Sequence, residues 1–287
     1  MTLRLASGLI FLWLSAFINA DTAEATCQAI ETKLSSVKLG DCSKHLFGSG
    51  GSTQNGHELL YLSLPAQSVN GQKAGRVLLI GGIHGDEFSS VSIVFKWLDI
   101  LQRLPNRQFD WLVVPAANPD GLLSNPGTRQ NATGIDLNRN FPTQDWHQKS
   151  TEYWLSRNKN PRRYPGKDPA SEIETRWLMA VIDDFKPDVI IAVHAPYSLV
   201  DFDGPPKAPS KLGELQLNQL GIYPGSLGNY GSRCLDKQVV TLELPSAGSM
   251  PKAVEIKRMW RDLVRWLVHN QRNRAGADKT LSLAGCP

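Results

Sequence analysis

Val77-Leu78-Leu79-Ile80-Gly81-Gly82-Ile83-His84-Gly85-Asp86-Glu87 is the stretch on which the reading of the fold turns. Its apolar run never alternates with polar residues, as expected of a strand buried on both faces. His-Gly-Asp-Glu then follows at once. A histidine and a carboxylate three residues apart share one face of a helical turn, so both can reach a single ion. Both are ordinary zinc ligands, and a catalytic zinc takes three protein ligands and keeps a fourth position for water. His194 is the natural third ligand, because it closes a second apolar run, Val189-Ile190-Ile191-Ala192-Val193. Alone, His84 and Glu87 read equally well as a surface ion pair. Their context adds weight, since both histidines lie just past the carboxyl end of a buried strand, where open α/β sheets bind ligands.

Outward from these two runs, strands are predicted over 58–64, 76–81, 110–115, 188–193 and 238–244. Helices are predicted over 88–103, 170–185 and 251–270, the last with Pro251 near its first turn and Val254, Met259, Leu263 and Leu267 as its apolar stripe. Strands alternating with helices specify an α/β fold: a mixed, mostly parallel twisted sheet flanked by helices. The stretches 143–168 and 201–232 read as long surface loops rimming a cleft. Residues 21–55 read as an N-terminal extension, with Gly48-Ser49-Gly50-Gly51-Ser52 as a flexible joint or turn. The catalytic domain is expected over 56–272, with a tail over 273–287.

Three further blocks accompany the histidines: Asn118-Pro119-Asp120-Gly121, the run Arg129 to Pro142 with Asp136-Leu137-Asn138-Arg139-Asn140-Phe141 at its centre, and Val240-Thr241-Leu242-Glu243-Leu244-Pro245. In this order the blocks resemble the zinc carboxypeptidase family, and within it the bacterial murein peptide amidases, from about Gly56 to about Asn270. The resemblance implies one zinc per chain, held by His84, Glu87 and His194. It implies that Glu243 is general base and acid, that Arg129 stabilises the oxyanion, and that Asn138 and Arg139 grip the substrate's terminal carboxylate. Asp136 matches the acid that orients the first zinc histidine through its other ring nitrogen. Asp86 stands where digestive members carry an arginine, and the tyrosine that caps their substrate has no secure match. Tyr230 is the first candidate for that role, with Tyr223 as a second and Tyr197 as easily structural. The departures favour the murein peptide amidase type, which cleaves the γ-D-glutamyl–diaminopimelate bond of cell-wall stem peptides. Arg233 is a candidate partner for the second carboxylate of diaminopimelate, or an ordinary solvated loop arginine.

Composition and the chain ends set limits. Arg4 followed by the apolar run Leu5 to Phe17 and by Ile18-Asn19-Ala20 has the layout of a secretory signal peptide over 1–20. An uncleaved anchor is the competing reading. Export to the periplasm or the medium is therefore expected, with no stable membrane span after cleavage. Removing the leader takes one of 31 basic residues and none of the 27 acidic ones, leaving +3, too balanced to argue for nucleic acid. The four cysteines lie beyond the cut, and Cys27–Cys42 and Cys234–Cys286 are the favoured pairs of three possible connectivities. His45, His57, His147 and His269 lack a partner at ligand spacing and read as core or surface residues. Trp97, Trp111, Trp177, Trp260 and Trp266 read as packing residues, and Trp146 and Trp154 as candidates to line the cleft. The competing functions are a general metallocarboxypeptidase on ordinary peptides, an N-acyl amino acid deacylase of the aspartoacylase kind, and a metal-free cell-wall peptide binding protein.

Overall fold

The computed structural model describes residues 10–274, apart from 39, 46, 68–73, 106, 145 and 206–207. Residues 1–9 of the expected leader, residues 275–287 of the tail and the Cys234–Cys286 pairing through Cys286 lie outside the described residues. In chain order the elements are α1 (Ile10–Lys33), β1 (Gly48–Ser52), β2 (Glu58–Leu64), β3 (Gly75–Gly81), α2 (Phe88–Arg103), β4 (Phe109–Val114) and α3 (Pro119–Leu123). They continue through α4 (Trp146–Ser156), α5 (Ile173–Phe185), β5 (Val189–His194), β6 (Leu199–Asp203), β7 (Lys211–Leu212), β8 (Leu215–Leu217), α6 (Leu227–Asn229), β9 (Gln238–Glu243) and α7 (Ala253–Arg274).

The strands form one sheet in the order β1-β2-β4-β3-β5-β9-β6-β8-β7. Its centre, β4-β3-β5-β9, is parallel. The flanks are antiparallel except for the short parallel pair β6–β8. The parallel strands are buried on both faces, and their side chains divide by the two-residue period of a strand. Val77 and Leu79 of β3 join one core with Val189 and Ile191 of β5, while Leu78, Ile80 and Ile190 join the other. The first core is closed by α2 and α7, the second by α5 through Leu178 and Ile182. An unbroken apolar run is thus the pattern the position demands, because neither face meets water.

The connection through α2 carries the chain outward from β3 to β4, and the return through α5 brings β5 to the other side of β3. The strand order reverses there, which opens a crevice at the carboxyl ends of β3 and β5. Left-handed Lys186 caps α5, and Pro187 cannot continue the helix, so the chain turns straight into β5.

Several expectations are corrected. Gly48–Ser52 is strand β1 paired with β2, not a free joint. The segment 143–168 contains α4 and a 3-10 turn at Pro161–Arg163, and 201–232 contains β6, β7, β8 and α6. In α4 only Trp146 and Ser150 are buried, so little apolar periodicity marks it. In α7, Val254 points outward, 57% exposed, and the stripe is Ile256, Met259, Trp260, Leu263 and Leu267. Trp260 packs against Trp97 and Trp111, with ring centroids 5.6 and 5.3 Å away. Cys27 and Cys42 form a disulfide that ties the end of α1 to the following loop. Among the described residues, no helix is long and apolar enough to cross a membrane.

Candidate metal centre and cleft

β3 delivers His84 to the crevice, and a tight turn follows it, with the Glu87 amide donating to the His84 carbonyl at 3.2 Å. This is a turn, not a turn of α-helix; α2 begins only after Glu87. Both side chains nevertheless point to one spot, since Glu87 Oε1 lies 2.8 Å from His84 Nδ1. Gly85 makes the turn possible. A Cβ there would lie 2.1 Å from the Gly121 backbone, so only glycine lets α3 approach so closely.

His194 ends β5, and its Nδ1 lies 3.1 Å from both His84 Nδ1 and Glu87 Oε2. The second Glu87 oxygen also accepts the Ala195 amide at 3.1 Å. The three donors lie within 4.8 Å of one another, and all three residues are buried. Two imidazole nitrogens facing each other across a carboxylate need a proton or a cation between them, since lone pairs otherwise oppose. Donors at about 2.0–2.1 Å from one tetrahedral ion stand roughly 3.4 Å apart, close to the spacing here. The residues therefore fit a single metal ion.

Asp136, fully buried, places Oδ1 3.2 Å from His84 Nε2 and takes Arg129 Nε on Oδ2 at 2.9 Å. Arg129 Nη1 in turn lies 3.1 Å from His84 Nδ1 and 3.6 Å from Glu87. Burial raises the Glu87 carboxyl, but His84 and His194 outweigh it and hold it far below the usual range. At Asp136 burial likewise loses, here to Arg129 and His84. Glu243 is the exception. Burial lifts its carboxyl, His194 opposes and Glu87 adds, for a net rise. Its position follows from sheet register alone, because Glu243 of β9 stands directly opposite His194 of β5.

These groups open on a cleft of about 630 Å³, which Asn138 and Arg139 also line. Asn138 is fixed from behind, its Oδ1 accepting the Leu227 amide at 2.8 Å. Arg139 is only 4% exposed, and its guanidinium carbon lies 5.2 Å from the Tyr153 ring centre and 4.8 Å from that of Tyr223, two rings that also meet each other edge to face at 5.6 Å. Among the described residues, Arg139 Nε has no hydrogen-bond partner.

Tyr230 does not belong to this cleft. It is buried in the core, stacked on Phe141 at 5.5 Å, and Tyr223 and Tyr153 are the aromatic groups beside Arg139 instead. Arg233 is exposed and lies outside the cleft lining. Tyr197 lines the cleft and is 56% exposed. Trp146 is buried beneath it, donating to the Arg139 carbonyl at 2.8 Å, and Trp154 packs on Tyr164. Sequence reading missed Tyr153 together with Arg157, Arg162 and Arg163, all cleft-lining residues of the α4 region. The available signal was three arginines within seven residues beside aromatic side chains.

The model of the zinc carboxypeptidase family matches residues 45–203. The chain belongs to the zinc carboxypeptidase family. As a member it is a hydrolytic enzyme. Among its relatives is murein peptide amidase A of Escherichia coli (strain K12), 32% identical over 222 residues, which span 74% of this chain and 86% of that one. The crystal structure of murein-tripeptide amidase MpaA from Escherichia coli O157 superposes with a TM-score of 0.55 at 29% identity, covering 77% of this chain and 92% of that one. Bovine thrombin-activatable fibrinolysis inhibitor in complex with tick carboxypeptidase inhibitor shares the fold at 18% identity, with a TM-score of 0.60 and coverage of 79% and 90%.

Proposed function

We propose that this family member is a zinc-dependent amidase of cell-wall stem peptides, cleaving the γ-D-glutamyl bond that precedes a C-terminal diaminopimelate. The observation that carries the reading is Arg139. A guanidinium so deeply buried in the lining of the cleft that holds the metal donors suits a substrate carboxylate next to the scissile bond. The murein peptide amidase relatives support the choice of peptide.

His84, Glu87 and His194 would hold the zinc. When bound, zinc supplies Lewis acidity that polarises a carbonyl and acidifies a water. Glu243 then takes the proton from the attacking water and returns it to the leaving amine, and its raised carboxyl suits it to carry that proton. Arg129, held by Asp136, presents a fixed cation to the developing oxyanion. Asp136, by accepting from His84 Nε2, would keep His84 in the tautomer that leaves its Nδ1 lone pair free for a metal. Asn138 and Arg139 hold the terminal carboxylate, and Tyr153 and Tyr223 keep the guanidinium in place. We further propose that residues 1–20 direct export and that residues 56–272 form the catalytic domain. The Cys27–Cys42 disulfide suits an oxidising compartment.

Mass spectrometry of products from L-Ala-γ-D-Glu-diaminopimelate tests the reading. Free diaminopimelate is the expected product, and amidating its α-carboxylate should remove most of the activity. Cleavage of ordinary α-linked peptides with the γ-glutamyl bond left intact overturns the murein assignment and leaves family membership standing.

A further inference from the structure

On the face of the sheet that α5 covers, this helix and the π-helical turn Tyr230–Cys234 leave a second groove, of about 590 Å³. Met179, Ile182, Tyr230 and Leu235 form its apolar lining, with Lys186 and Lys237 among its polar residues. It lies at the opposite end of the sheet from the metal donors. Lys186 and Lys237 stand just before β5 and β9, whereas His194 and Glu243 close the same strands. Contiguous apolar surface of this kind marks a contact site for another segment or molecule.

The groove is tied to the cleft. Tyr230 lines it and stacks on Phe141, which lies two residues beyond Arg139. The Phe141 amide donates to the Gly225 carbonyl at 3.0 Å, and the Tyr230 amide to that of Ser226 at 2.9 Å. The Leu227 amide holds Asn138 Oδ1 at 2.8 Å. One short segment, 225–230, therefore meets the groove on one side and Asn138 on the other.

Cys234 identifies the occupant. It ends the π-helical turn beside Leu235 and is disulfide-bonded. Cys27 and Cys42 take each other, and the chain has four cysteines, which leaves Cys286. The approach to Cys286 reads Leu281-Ser282-Leu283-Ala284-Gly285, and in extended backbone its two leucines face the same way. The reach is ample. Gln238, four residues beyond Cys234, donates to Asn270 of α7 at 3.3 Å, so α7 ends near this edge of the sheet. The twelve residues 275–286 can span up to roughly 40 Å.

We propose that the segment 281–286 is the occupant of this groove: Cys286 fastens it to Cys234, Leu281 and Leu283 cover Met179, Ile182 and Leu235, and the seated tail backs Tyr230 and the Asn138–Arg139 turn. Closing the bond removes two protons and two electrons from Cys234 and Cys286. They pass to a disulfide donor of the oxidising compartment that also suits Cys27–Cys42. The inference is independent of which peptide is cleaved, since it concerns the support of the grip and not its ligand.

Proteolysis of the full chain without reduction, followed by mass spectrometry, should yield peptides joined through Cys234 and Cys286. Hydrogen exchange then compares the wild type with a Leu281→Ser, Leu283→Ser variant that keeps both cysteines. Amides over 230–235 should be protected in the wild type and exchange about tenfold faster in the variant, with zinc content unchanged. On whichever peptide series the enzyme cleaves, KM should rise about three- to tenfold while kcat holds, as a loosened binding group requires. Cys286 found as a free thiol, or paired elsewhere, overturns the proposal. So does exchange over 230–235, or a KM, that is the same in both proteins.

Discussion

The two ends of the cleft treat charge in opposite ways. At the metal corner the metal donors and the groups that hold them are paired: Asp136 joins Arg129 and His84, and Glu87 joins both histidines. At the outer end Arg139 keeps a nitrogen without a hydrogen-bond partner among the described residues. A satisfied network holds its geometry before anything binds, as a coordination site requires. Buried charge left unsatisfied gains its partner only when ligand enters. The difference teaches which end is scaffold and which end reads the substrate.

The sharpest way to break this division is at the metal corner. Purified protein should carry about one zinc per chain, and His84→Ala with His194→Ala should abolish it, by metal analysis. Zinc retained in that double variant removes the assignment. Next comes Glu243→Gln, which should leave zinc content unchanged and cut turnover at least ~10²-fold. Near-normal turnover moves the base elsewhere.

At the outer end the effects should be smaller and should depend on the substrate. Arg139→Met should cost about 10–100-fold in kcat/KM on peptides with a free α-carboxylate, and little on their amidated forms. An equal loss on both forms would make Arg139 structural and erase the contrast between the two ends. Tyr153→Leu removes one of the two rings that contact the guanidinium. KM should rise by about two- to thirtyfold while kcat holds, in line with a cation–π contact of ~0.5–2 kcal/mol. The smallest effect is expected at the rim, where Arg162 pairs with Asp86 at 2.7 Å from a largely exposed position. Arg162→Gln should lower Tm by no more than ~2–4 °C, because exposed pairs contribute ~0–1 kcal/mol.

The metal corner was the legible part because its information is local. Runs of apolar residues specify buried strands, and a ligand placed after each run is carried to the sheet end whatever lies between. The same holds for Glu243, whose strand was predicted over 238–244 and observed over Gln238–Glu243. The outer end was misread for the opposite reason. Tyr153 sits on α4, a helix with too few buried residues to show a period, so the sequence there reads as loop. Tyr230 stood in a suggestive glycine-rich stretch, yet its ring turned into the core against Phe141.

Sequence by itself determined the α/β layering, the elements that end in His84, His194 and Glu243, and the chemistry those residue types permit. Only the tertiary structure decided the rest. It set β5 between β3 and β9, so that three strand ends meet at one point. It brought Tyr153 and Tyr223, 70 residues apart in the chain, together beside the Arg139 guanidinium. It brought Asp203 into the cleft through the antiparallel register of β6 on β9. The physical reason is that hydrophobic periodicity encodes which face of an element is buried, whereas a cleft wall is made of polar groups whose neighbours are fixed only when distant segments pack.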